Sequence, residues 1–278
     1  MTAAGDLLEA TEPVPRVVSD SALLDVRDVT VRFGGLIAND AVCLSVEPGD
    51  IAGLIGPNGA GKTTLFNVIT GAQAPTSGEV WFAGENVTKL DRRSRARRGM
   101  SRTFQNLSLV TTLSVLDNVT VGLGRFRTSG VVGSMLRLPG ARRQDVLIRE
   151  VAMGALAFAG LADRANDITG DLPYGARRRL ELARALALSP KILLLDEPSA
   201  GMGPQETADL ASVIRRARDE LGVSVLVVEH DMSFVRTLAE RCTVLEFGQV
   251  IAAGETAAVL ADERVAEAYL GTRGTTGA

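Results

Sequence analysis

A glycine-rich segment near position 60 constrains the fold of this chain more strongly than any other feature of the sequence. Residues 56–63 read GPNGAGKT and fit the pattern G-x-x-x-x-G-K-[ST] in full. An apolar run at 51–55 precedes the segment and a helix is expected to begin at Gly61, so the order is strand, loop and helix. Glycines let a backbone wrap closely around a phosphate with its N–H groups pointing inward. The segment therefore predicts a phosphate-binding loop in an α/β fold.

The residues of this loop have distinct expected roles. The Lys62 ammonium can reach the β- and γ-phosphates of a nucleotide, and the Thr63 hydroxyl suits Mg²⁺. The N-terminus of the following helix adds a favourable dipole for an anion. The alternative, a glycine-rich turn with a chance Lys-Thr pair, does not explain why a strand precedes the loop and a helix follows it. The predicted nucleotide-binding residues here are Gly56, Pro57, Asn58, Gly59, Ala60, Gly61, Lys62, Thr63 and Thr64.

An acidic pair, Asp196 and Glu197, ends a second apolar run at 192–195. In a parallel sheet a carboxylate at the carboxyl end of a strand lies beside the phosphate loop. Asp196 is expected to bind Mg²⁺ through water, and Glu197 to orient and polarise the attacking water. Alone, a strand that ends in two acids is usually a strand that meets solvent. After a complete phosphate loop, the same pattern predicts nucleotide hydrolysis.

Alternating apolar patterns predict the organisation around these motifs. Residues 204–221 carry apolar side chains spaced three or four apart, which predicts a helix between short apolar runs at 192–195 and 223–228. Such runs are typical of buried parallel strands, so an α/β sandwich is expected. Residues 106–172 break this rhythm and are interpreted as a helical insert, with a glycine-rich link between its helices. Further strands are predicted at residues 23–33, 41–46, 51–55 and 79–82, and the helices of the insert at residues 114–123 and 144–161.

The composition excludes several classes of protein. A net charge of −3 offers no general basic surface for nucleic acid, and 4% aromatic residues offer no stacking platform for single strands. The single histidine cannot build a His-rich metal site, and two distant cysteines form no disulfide framework. The longest apolar stretch, residues 151–162, is shorter than the ~20 residues that span a bilayer. The acidic N-terminus is unlike a secretory signal, so a cytosolic location is expected unless a partner holds the chain at a membrane.

Three further segments carry a resemblance to a known family. They are residues 101–105 (SRTFQ), 171–186 (DLPYGARRRLELARAL) and 227–231 (VVEHD). With the phosphate loop and the acidic pair, and in this order, they make the chain resemble the ATP-binding-cassette (ABC) ATPases. The resemblance implies ATP and Mg²⁺ as cofactors, and a P-loop ATPase core with an antiparallel β subdomain and an inserted α-helical subdomain. The implied organisation is a mobile leader at residues 1–22, the core at 23–105 and 173–270, the helical subdomain at 106–172 and a flexible tail at 271–278.

The same resemblance implies roles for single residues. Phe33 is expected to stack on adenine, and the alternative is a buried strand phenylalanine. Gln105 is expected to contact Mg²⁺ or water and to couple the site to the motion of the insert; alone, it would be a solvated loop residue. His230 is expected to hydrogen-bond the γ-phosphate and to help hold Glu197 and the water, where a lone histidine is more often structural. The predicted catalytic residues are thus Lys62, Gln105, Glu197 and His230, and the predicted Mg²⁺ ligands are Thr63, Gln105 and Asp196.

Residues 172–176 are similar to the loop with which one ABC ATPase completes the nucleotide site of a second copy docked head to tail. Tyr174 and Gly175 are therefore expected to bind the nucleotide of the other chain, because a helix N-terminus favours an anion. Two positions depart from the family pattern, which has Ser where Pro173 stands and Gln where Ala176 stands. Residues 200–203 also lack the carboxylate that the family usually has there. The resemblance therefore leaves open how the two nucleotide sites of a dimer are coupled.

Five segments resemble the ATPases of branched-chain amino acid importers, and the glycine-rich link at 124–142 is similar to the longer of their two ATPase subunits. The resemblance implies a peripheral protein on the cytoplasmic face of the plasma membrane. Its implied partners are two transmembrane permease subunits, a second ABC ATPase subunit and, indirectly, an extracytoplasmic solute-binding protein, with no nucleic acid. The alternatives are a soluble ABC ATPase outside transport, an importer ATPase for another solute such as urea or amides, and a small-molecule P-loop kinase. The segments are RFGGLIA (32–38), SRTFQN (101–106), LPYGARRRLELARAL (172–186), DEPSAGM (196–202) and VAEAYLG (265–271).

A run of six arginines between positions 92 and 102 has Asp91 as its single nearby acid. We interpret the run as a solvated helix face. A contact with anionic lipid headgroups is the alternative.

Overall fold

The computed structural model describes residues 21–103, 109–124 and 139–270. Its strands are β1 (Leu24–Phe33), β2 (Leu36–Val46), β3 (Ile51–Ile55), β4 (Ser77–Phe82), β5 (Glu85–Asn86), β6 (Met100–Arg102), β7 (Ile192–Asp196), β8 (Ser224–Glu229), β9 (Arg241–Glu246) and β10 (Gln249–Glu255). Its helices are α1 (Lys62–Ile69), α2 (Arg92–Arg97), α3 (Val115–Leu123), α4 (Pro139–Phe158), α5 (Tyr174–Leu186), α6 (Pro204–Leu221), α7 (Met232–Leu238), α8 (Thr256–Leu260) and α9 (Glu263–Leu270).

A six-stranded sheet with the order β10-β9-β3-β8-β7-β6 forms the centre of the described fold. Its strands are parallel except for β10, which joins β9 antiparallel. Strands β3, β7 and β8 are buried throughout, because α5, α6 and α7 cover one face and α1 with the second sheet covers the other. Their carboxyl ends meet at one edge, where Ile55 pairs with Glu229 and Asp196 pairs with Val228. The predicted α/β sandwich and its parallel runs are confirmed.

The second sheet is antiparallel and has the order β2-β1-β4-β5. Its inner face packs on α1 and on the central sheet in one hydrophobic cluster that includes Val26, Phe66 and Leu226. Strand β2 begins at Leu36, earlier than the predicted start at residue 41. The left-handed backbone of Gly34 (φ 58°) reverses the chain tightly, so Leu36 pairs directly with Phe33. This sheet is the antiparallel subdomain that the resemblance implied.

Helices α3 and α4 pack against one side of α5 in a separate hydrophobic cluster that includes Leu156 and Leu180. Helix α3 starts after Ser114, whose Oγ accepts a hydrogen bond from the Asp117 N–H at 3.0 Å. Helix α4 spans Pro139–Phe158 rather than the predicted 144–161, and it ends before Gly160, which has a left-handed backbone (φ 67°). The described part of the insert is helical, as predicted, and the domain boundaries themselves stay a prediction.

The arginine run does not form a simple solvated face, so that interpretation was wrong for Arg95. This side chain is fully buried and donates hydrogen bonds to four backbone carbonyl oxygens. Two of them belong to Val68 and Ile69 in the last turn of α1, at 2.7 and 2.6 Å, where helix carbonyls lack partners. Burial lowers the pKa of Arg95 to about 10. Arg95 therefore closes the C-terminus of α1, whereas Arg92, Arg93 and Arg97 are exposed.

The sequence patterns did not identify β6, β9 and β10 or the helices that follow β8. Strand β6 is only three residues long, and β9 and β10 turn directly into one another at Phe247 and Gly248. Residues 1–20 and 271–278, the expected leader and tail, lie outside the described residues. Across the three described ranges, no helix has both the length and the apolar character needed to cross a bilayer.

Candidate functional site

The phosphate loop connects β3 to α1 and depends on glycine at two positions. Gly56 and Gly61 have left-handed backbones with φ angles of 151° and 96°. A Cβ at Gly56 would lie 2.1 Å from the Leu245 carbonyl oxygen, and one at Gly61 would lie 2.4 Å from the Ala38 carbonyl oxygen. Both sites therefore exclude any side chain, and the loop can pass closely between β2 and β9.

Lys62 is buried at the centre of the loop. Its ammonium donates hydrogen bonds to the carbonyl oxygens of Gly56 at 2.6 Å and Pro57 at 2.8 Å. Burial lowers the pKa of Lys62, and the negative charges of Glu197, Glu229 and Asp196 oppose that shift. The fold thus gathers three carboxylates around one ammonium at the carboxyl edge of the sheet.

Neighbouring segments hold the loop from the side. The Asn39 side-chain amide donates to the Gly61 carbonyl at 3.3 Å, and the Gly248 N–H donates to the Ala60 carbonyl at 3.0 Å. Phe33, at the end of β1 in the hairpin that leads to Asn39, is 52% exposed. The buried alternative for Phe33 is therefore wrong, and an exposed aromatic ring lies on this side of the site. Phe247, in the turn beside Ala60, is 84% exposed and was not singled out from the sequence.

Asp196 ends β7 and is almost completely buried. Burial raises the pKa of its carboxyl, and the positive charge of Arg102 opposes this. Arg102 donates from Nη2 to Asp196 Oδ2 at 3.0 Å and from Nη1 to Asn67 Oδ1 at 3.0 Å and Thr70 Oγ1 at 3.3 Å. Its guanidinium also stacks over the Phe66 ring at 4.7 Å. The sequence analysis placed Arg102 in the basic run and in the segment 101–105 without giving it a role of its own, whereas the structure joins it to Asp196 and to α1.

Glu197 and His230 face each other across the ends of β7 and β8. The distance from His230 Nδ1 to Glu197 Oε1 is 3.7 Å. Glu197 has a left-handed backbone (φ 46°), and its N–H donates to the Val228 carbonyl at 2.9 Å. A non-glycine residue in this conformation is uncommon and is strained unless its surroundings hold it. The His230 imidazole is half exposed, so it can contact a ligand at the edge of the sheet.

Glu229 is a further carboxylate at this edge that the sequence analysis did not identify. It is fully buried at the end of β8. Its Oε1 accepts hydrogen bonds from the Ser199 N–H at 2.9 Å and the Ser199 hydroxyl at 2.6 Å. Its Oε2 accepts from the His230 N–H at 3.2 Å. The signal in the sequence was a glutamate that continues an apolar strand directly before the single histidine.

Tyr174 and Gly175 lie at the N-terminus of α5 and are tied to the segment after Glu197 rather than to the phosphate loop of the same chain. The Gly175 N–H donates to Glu206 Oε1 at 3.1 Å, so this N–H is engaged within its own chain. A Cβ on Gly201 would lie 3.5 Å from the Tyr174 ring, which is partly exposed. Pro173 is the N-cap of α5, as its fixed φ allows.

The structure brings most of the predicted residues together, and Gln105 lies outside the described residues. The phosphate loop, Lys62, Asp196, Glu197 and His230 share one edge of the sheet, and Thr63 is exposed in the first turn of α1. This edge suits a magnesium nucleotide, because the loop lies at the N-terminus of α1 with the Lys62 ammonium at its centre, and because Thr63 and Asp196 carry the oxygen atoms that Mg²⁺ prefers.

Comparison with known proteins agrees with this arrangement. A family model described as ABC transporter matches residues 40–200. The chain is 39% identical over 249 residues to the high-affinity branched-chain amino acid transport ATP-binding protein BraF of Pseudomonas aeruginosa, which covers 90% of this chain and 98% of BraF. LivG of Escherichia coli K12, which has the same description, is 38% identical over the same shares of the two chains.

Solved structures give the same result at the level of the fold. An ATP-binding cassette of an ABC transporter in its ADP conformation superposes with a TM-score of 0.78 at 29% identity, covering 90% of this chain and 99% of that one. A dimeric ATP-binding cassette in a post-hydrolysis state with ADP and Pi gives a TM-score of 0.69 at 27% identity, covering 84% and 98%. With its phosphate loop, acidic pair and histidine at one sheet edge, and with these relatives along nearly its whole length, the chain belongs to the ABC transporter family.

Proposed function

We propose that this chain hydrolyses ATP in the presence of Mg²⁺ and that hydrolysis powers a membrane importer. The observation that carries the proposal is the convergence of Lys62, Asp196, Glu197 and His230 at the phosphate loop. Lys62 binds the β- and γ-phosphates after its ammonium exchanges a loop carbonyl for phosphate oxygen. Thr63, Asp196 and Gln105 would hold Mg²⁺. When bound, this ion neutralises the charge that develops on the transferred phosphoryl group.

Glu197 acts on the attacking water in this proposal. Its carboxylate projects from the end of β7 and is partly exposed, so it can accept a hydrogen bond from a water in line with the γ-phosphate. His230, 3.7 Å away, donates to the γ-phosphate and limits the movement of Glu197. Phe33 offers its exposed ring to the adenine. These roles follow from the position and chemistry of each side chain, and each side chain can be replaced separately by mutation.

A second ATPase subunit completes the site in the proposed mechanism. Tyr174 and Gly175 begin α5, whose N-terminus attracts an anion and is partly exposed. For Gly175 to receive a phosphate from another chain, its N–H must leave Glu206. When two chains close, ATP would thus compete with the Glu206 carboxylate for the Gly175 N–H. Gln105 would transmit the movement of the closing dimer to the helical insert and from there to a permease.

We further propose uptake of branched-chain amino acids as the task, with two transmembrane permeases as partners on the cytoplasmic face of the plasma membrane and a solute-binding protein outside. The descriptions of BraF and LivG support this solute. A methionine import ATP-binding protein of Rhizobium etli is also 32% identical, over 91% of this chain and 66% of that protein, so similar cassettes carry names with different solutes. The solute therefore needs its own test.

The hydrolysis proposal is tested with the purified chain. We expect Mg²⁺-dependent release of phosphate from ATP by the wild type, near-complete loss in Glu197→Gln, and retained ATP binding in that variant. Glu267→Gln, at an exposed position on α9, is the matched control and should hydrolyse ATP at the wild-type rate. A Glu197→Gln protein with wild-type hydrolysis would contradict the assignment of Glu197.

The solute proposal is tested in cells. A strain that lacks this gene should lose uptake of radiolabelled leucine, and the wild-type gene should restore it while Glu197→Gln should not. Uptake of methionine and of urea, measured in the same strains, distinguishes a branched-chain amino acid importer from an importer of another solute. Unchanged leucine uptake in a strain with no substituting cassette would refute the solute while leaving the ATPase assignment intact.

A further inference from the structure

Glu229 combines full burial with a connection to both sides of the proposed catalytic pair. It lies at the end of β8, the strand between β3 and β7, and its side chain has no exposed surface. One carboxylate oxygen accepts two hydrogen bonds from Ser199, and the other accepts the N–H of His230. The carboxylate therefore bridges the turn after Glu197 and the residue that carries the imidazole.

The bridge lies at one of the positions where a non-glycine residue has a left-handed backbone. Glu197 has φ 46°, a conformation that a non-glycine residue keeps only when its neighbours hold it. Ser199 follows two positions later, and its N–H and hydroxyl are both held by Glu229 at 2.9 and 2.6 Å. On the other side, the Glu197 N–H is held by the Val228 carbonyl of β8. Both ends of the strained turn are thus anchored to the last two residues of β8.

The same carboxylate also sets the surroundings of His230. Glu229 Oε2 lies 3.9 Å from His230 Nδ1, close to the 3.7 Å that separates this nitrogen from Glu197 Oε1. A buried carboxylate that accepts several hydrogen bonds is held firmly in place, because hydrogen bonds to a charged group are stronger than those between neutral groups. Glu229 thus contacts residues next to both members of the pair, although its side chain faces neither solvent nor, in our proposal, the nucleotide.

We propose that Glu229 is a positioning residue for hydrolysis, which fixes Glu197 and His230 relative to each other by holding Ser199 and the His230 backbone on one buried carboxylate. The proposal rests on the ATPase function proposed above. A displacement of about 1 Å at a catalytic group can cost on the order of a hundredfold in rate, so a partial loss of the bridge should lower turnover measurably.

The first test uses Ser199, because its hydroxyl can be removed while its N–H stays in place. Ser199→Ala should lower kcat for ATP at least about fivefold while the KM for ATP stays within about twofold, since only the reacting groups move. Ser199→Thr keeps the hydroxyl and should recover most of the rate. Ser224→Ala is the matched control: Ser224 is also fully buried, its hydroxyl accepts a backbone N–H at 2.8 Å, and it lies at the opposite end of β8.

The second test needs no turnover. The chain contains one histidine, so the imidazole proton signals in an NMR spectrum report on His230 alone. Ser199→Ala and Glu229→Gln should both move these signals, and Ser224→Ala should leave them in place. Binding of a fluorescent ATP analogue and the urea midpoint, measured on each variant, show whether the protein is folded.

The outcomes separate the two proposals. If Ser199→Ala and Glu229→Gln are folded and keep the wild-type kcat and His230 signals, the positioning role is refuted. If kcat falls only together with ATP affinity and the urea midpoint, and Ser199→Thr does not recover it, Glu229 is merely structural and the positioning role is again refuted. A wild-type chain that binds ATP but never hydrolyses it would instead refute the proposed function, and this is seen before any variant is compared.

Discussion

The guanidinium of Arg102 joins β6, α1 and β7 through its bonds to Asn67, Thr70 and Asp196. Asp196 is nearly as buried as the apolar core, and a buried carboxylate without a partner is strongly destabilising. The pair therefore stabilises the fold, in addition to the role in Mg²⁺ binding that we propose for Asp196.

We expect Arg102→Met to lower the free energy of unfolding by about 2 kcal/mol, less than for a fully buried pair because Arg102 retains 17% exposure. Urea unfolding measures the change. Adding Asp196→Asn to this variant should recover part of the loss, since no buried charge is then left alone. Arg98→Met, in an exposed pair with Glu85, is the control and should change stability by less than about 1 kcal/mol. Equal effects of the two methionine variants would contradict this account.

Tyr269 of α9 packs against the hydrophobic cluster on the central sheet, and burial raises its pKa to about 12 while the Gly56 backbone opposes the shift. A raised pKa means that the folded state keeps its proton when the unfolded chain has lost it. This stabilising contribution is complete below pH ~10 and is lost as the pH rises toward 12.

Between pH 9 and 11, the wild type should therefore lose more unfolding free energy than Tyr269→Phe, which has no phenol to ionise. Chemical denaturation at a series of pH values measures the two slopes. Identical slopes for the wild type and Tyr269→Phe would show that the phenol is not held in this way.

Residues with local signals could be predicted, and residues whose role depends on distant partners could not. The phosphate loop was recognisable because its glycines and Lys62 act within eight consecutive positions. Arg95 and Glu229 were missed because their partners come from other elements, so only the fold shows that one closes α1 and the other bridges two turns. For Phe33 two interpretations were open; its exposure excludes the buried one, and its contact with adenine stays a prediction.

At the scale of elements, Glu206 connects the N-termini of two helices. Its carboxylate accepts the Gly175 N–H of α5 at 3.1 Å and the Gly203 N–H at the start of α6 at 3.2 Å. A carboxylate near a helix N-terminus satisfies a free N–H and complements the helix dipole. The Glu206 side chain thus accepts a hydrogen bond at the N-terminus of each of the two helices.

Replacing Glu206 by alanine should lower the free energy of unfolding by roughly 1–2 kcal/mol, because both N–H groups lose their acceptor. Gln205→Ala is the matched control on the same turn, where an exposed contact to Asp209 is worth only about 0.3 kcal/mol. Thermal or urea denaturation compares the two. A Glu206→Ala protein as stable as Gln205→Ala would show that the bridge between the helices contributes nothing.

Strands and helices with strong periodicity were predictable, and both ends of β3 and of α6 lie at the predicted residues. The apolar runs predicted as buried parallel strands correspond to β3, β7 and β8, because a short, continuous apolar run is typical of a strand buried on both faces. Helix α4 and strand β2 differ from prediction at their ends, where single glycines decide where the chain turns. Strand β6 was not predicted, because three residues are too few to show an alternating pattern. It forms by pairing with β7.

At the scale of the whole molecule, the proposed mechanism requires a second chain to complete the site. Saturating ATP should convert Glu197→Gln from a monomer to a dimer in size-exclusion chromatography with light scattering, because the γ-phosphate is not removed. The wild type with Mg²⁺ should return to monomer as ATP is consumed, and Glu267→Gln should behave like the wild type. A Glu197→Gln protein that binds ATP and stays monomeric would contradict the trans-acting role of α5.

The order of strands in the central sheet could not be read from the sequence, although its class could. Alternating strands and helices predict a parallel sheet, but the position of β3 between β8 and β9 arises from pairings across more than 150 residues. That order places the loop after β3 beside Glu229 and His230, which is why residues from separate motifs share one edge. The domain boundaries depend on similar long-range packing, since α5 contributes to both the helical cluster and the central core.

The clamping of α1 at its C-terminal end has a mechanical consequence. Its N-terminus carries the phosphate loop, and its C-terminal turn is gripped by Arg95 and Arg102 through Val68, Ile69, Asn67 and Thr70. A helix of eight residues is about 12 Å long and stiff, so a displacement of one end also displaces the other end. Here the far end is fastened to α2 and to β6, the strand that leads into the helical insert. The phosphate loop is thus connected to β6 through α1, and in the proposed mechanism this connection acts beside Gln105 in carrying the effect of phosphate binding toward the insert.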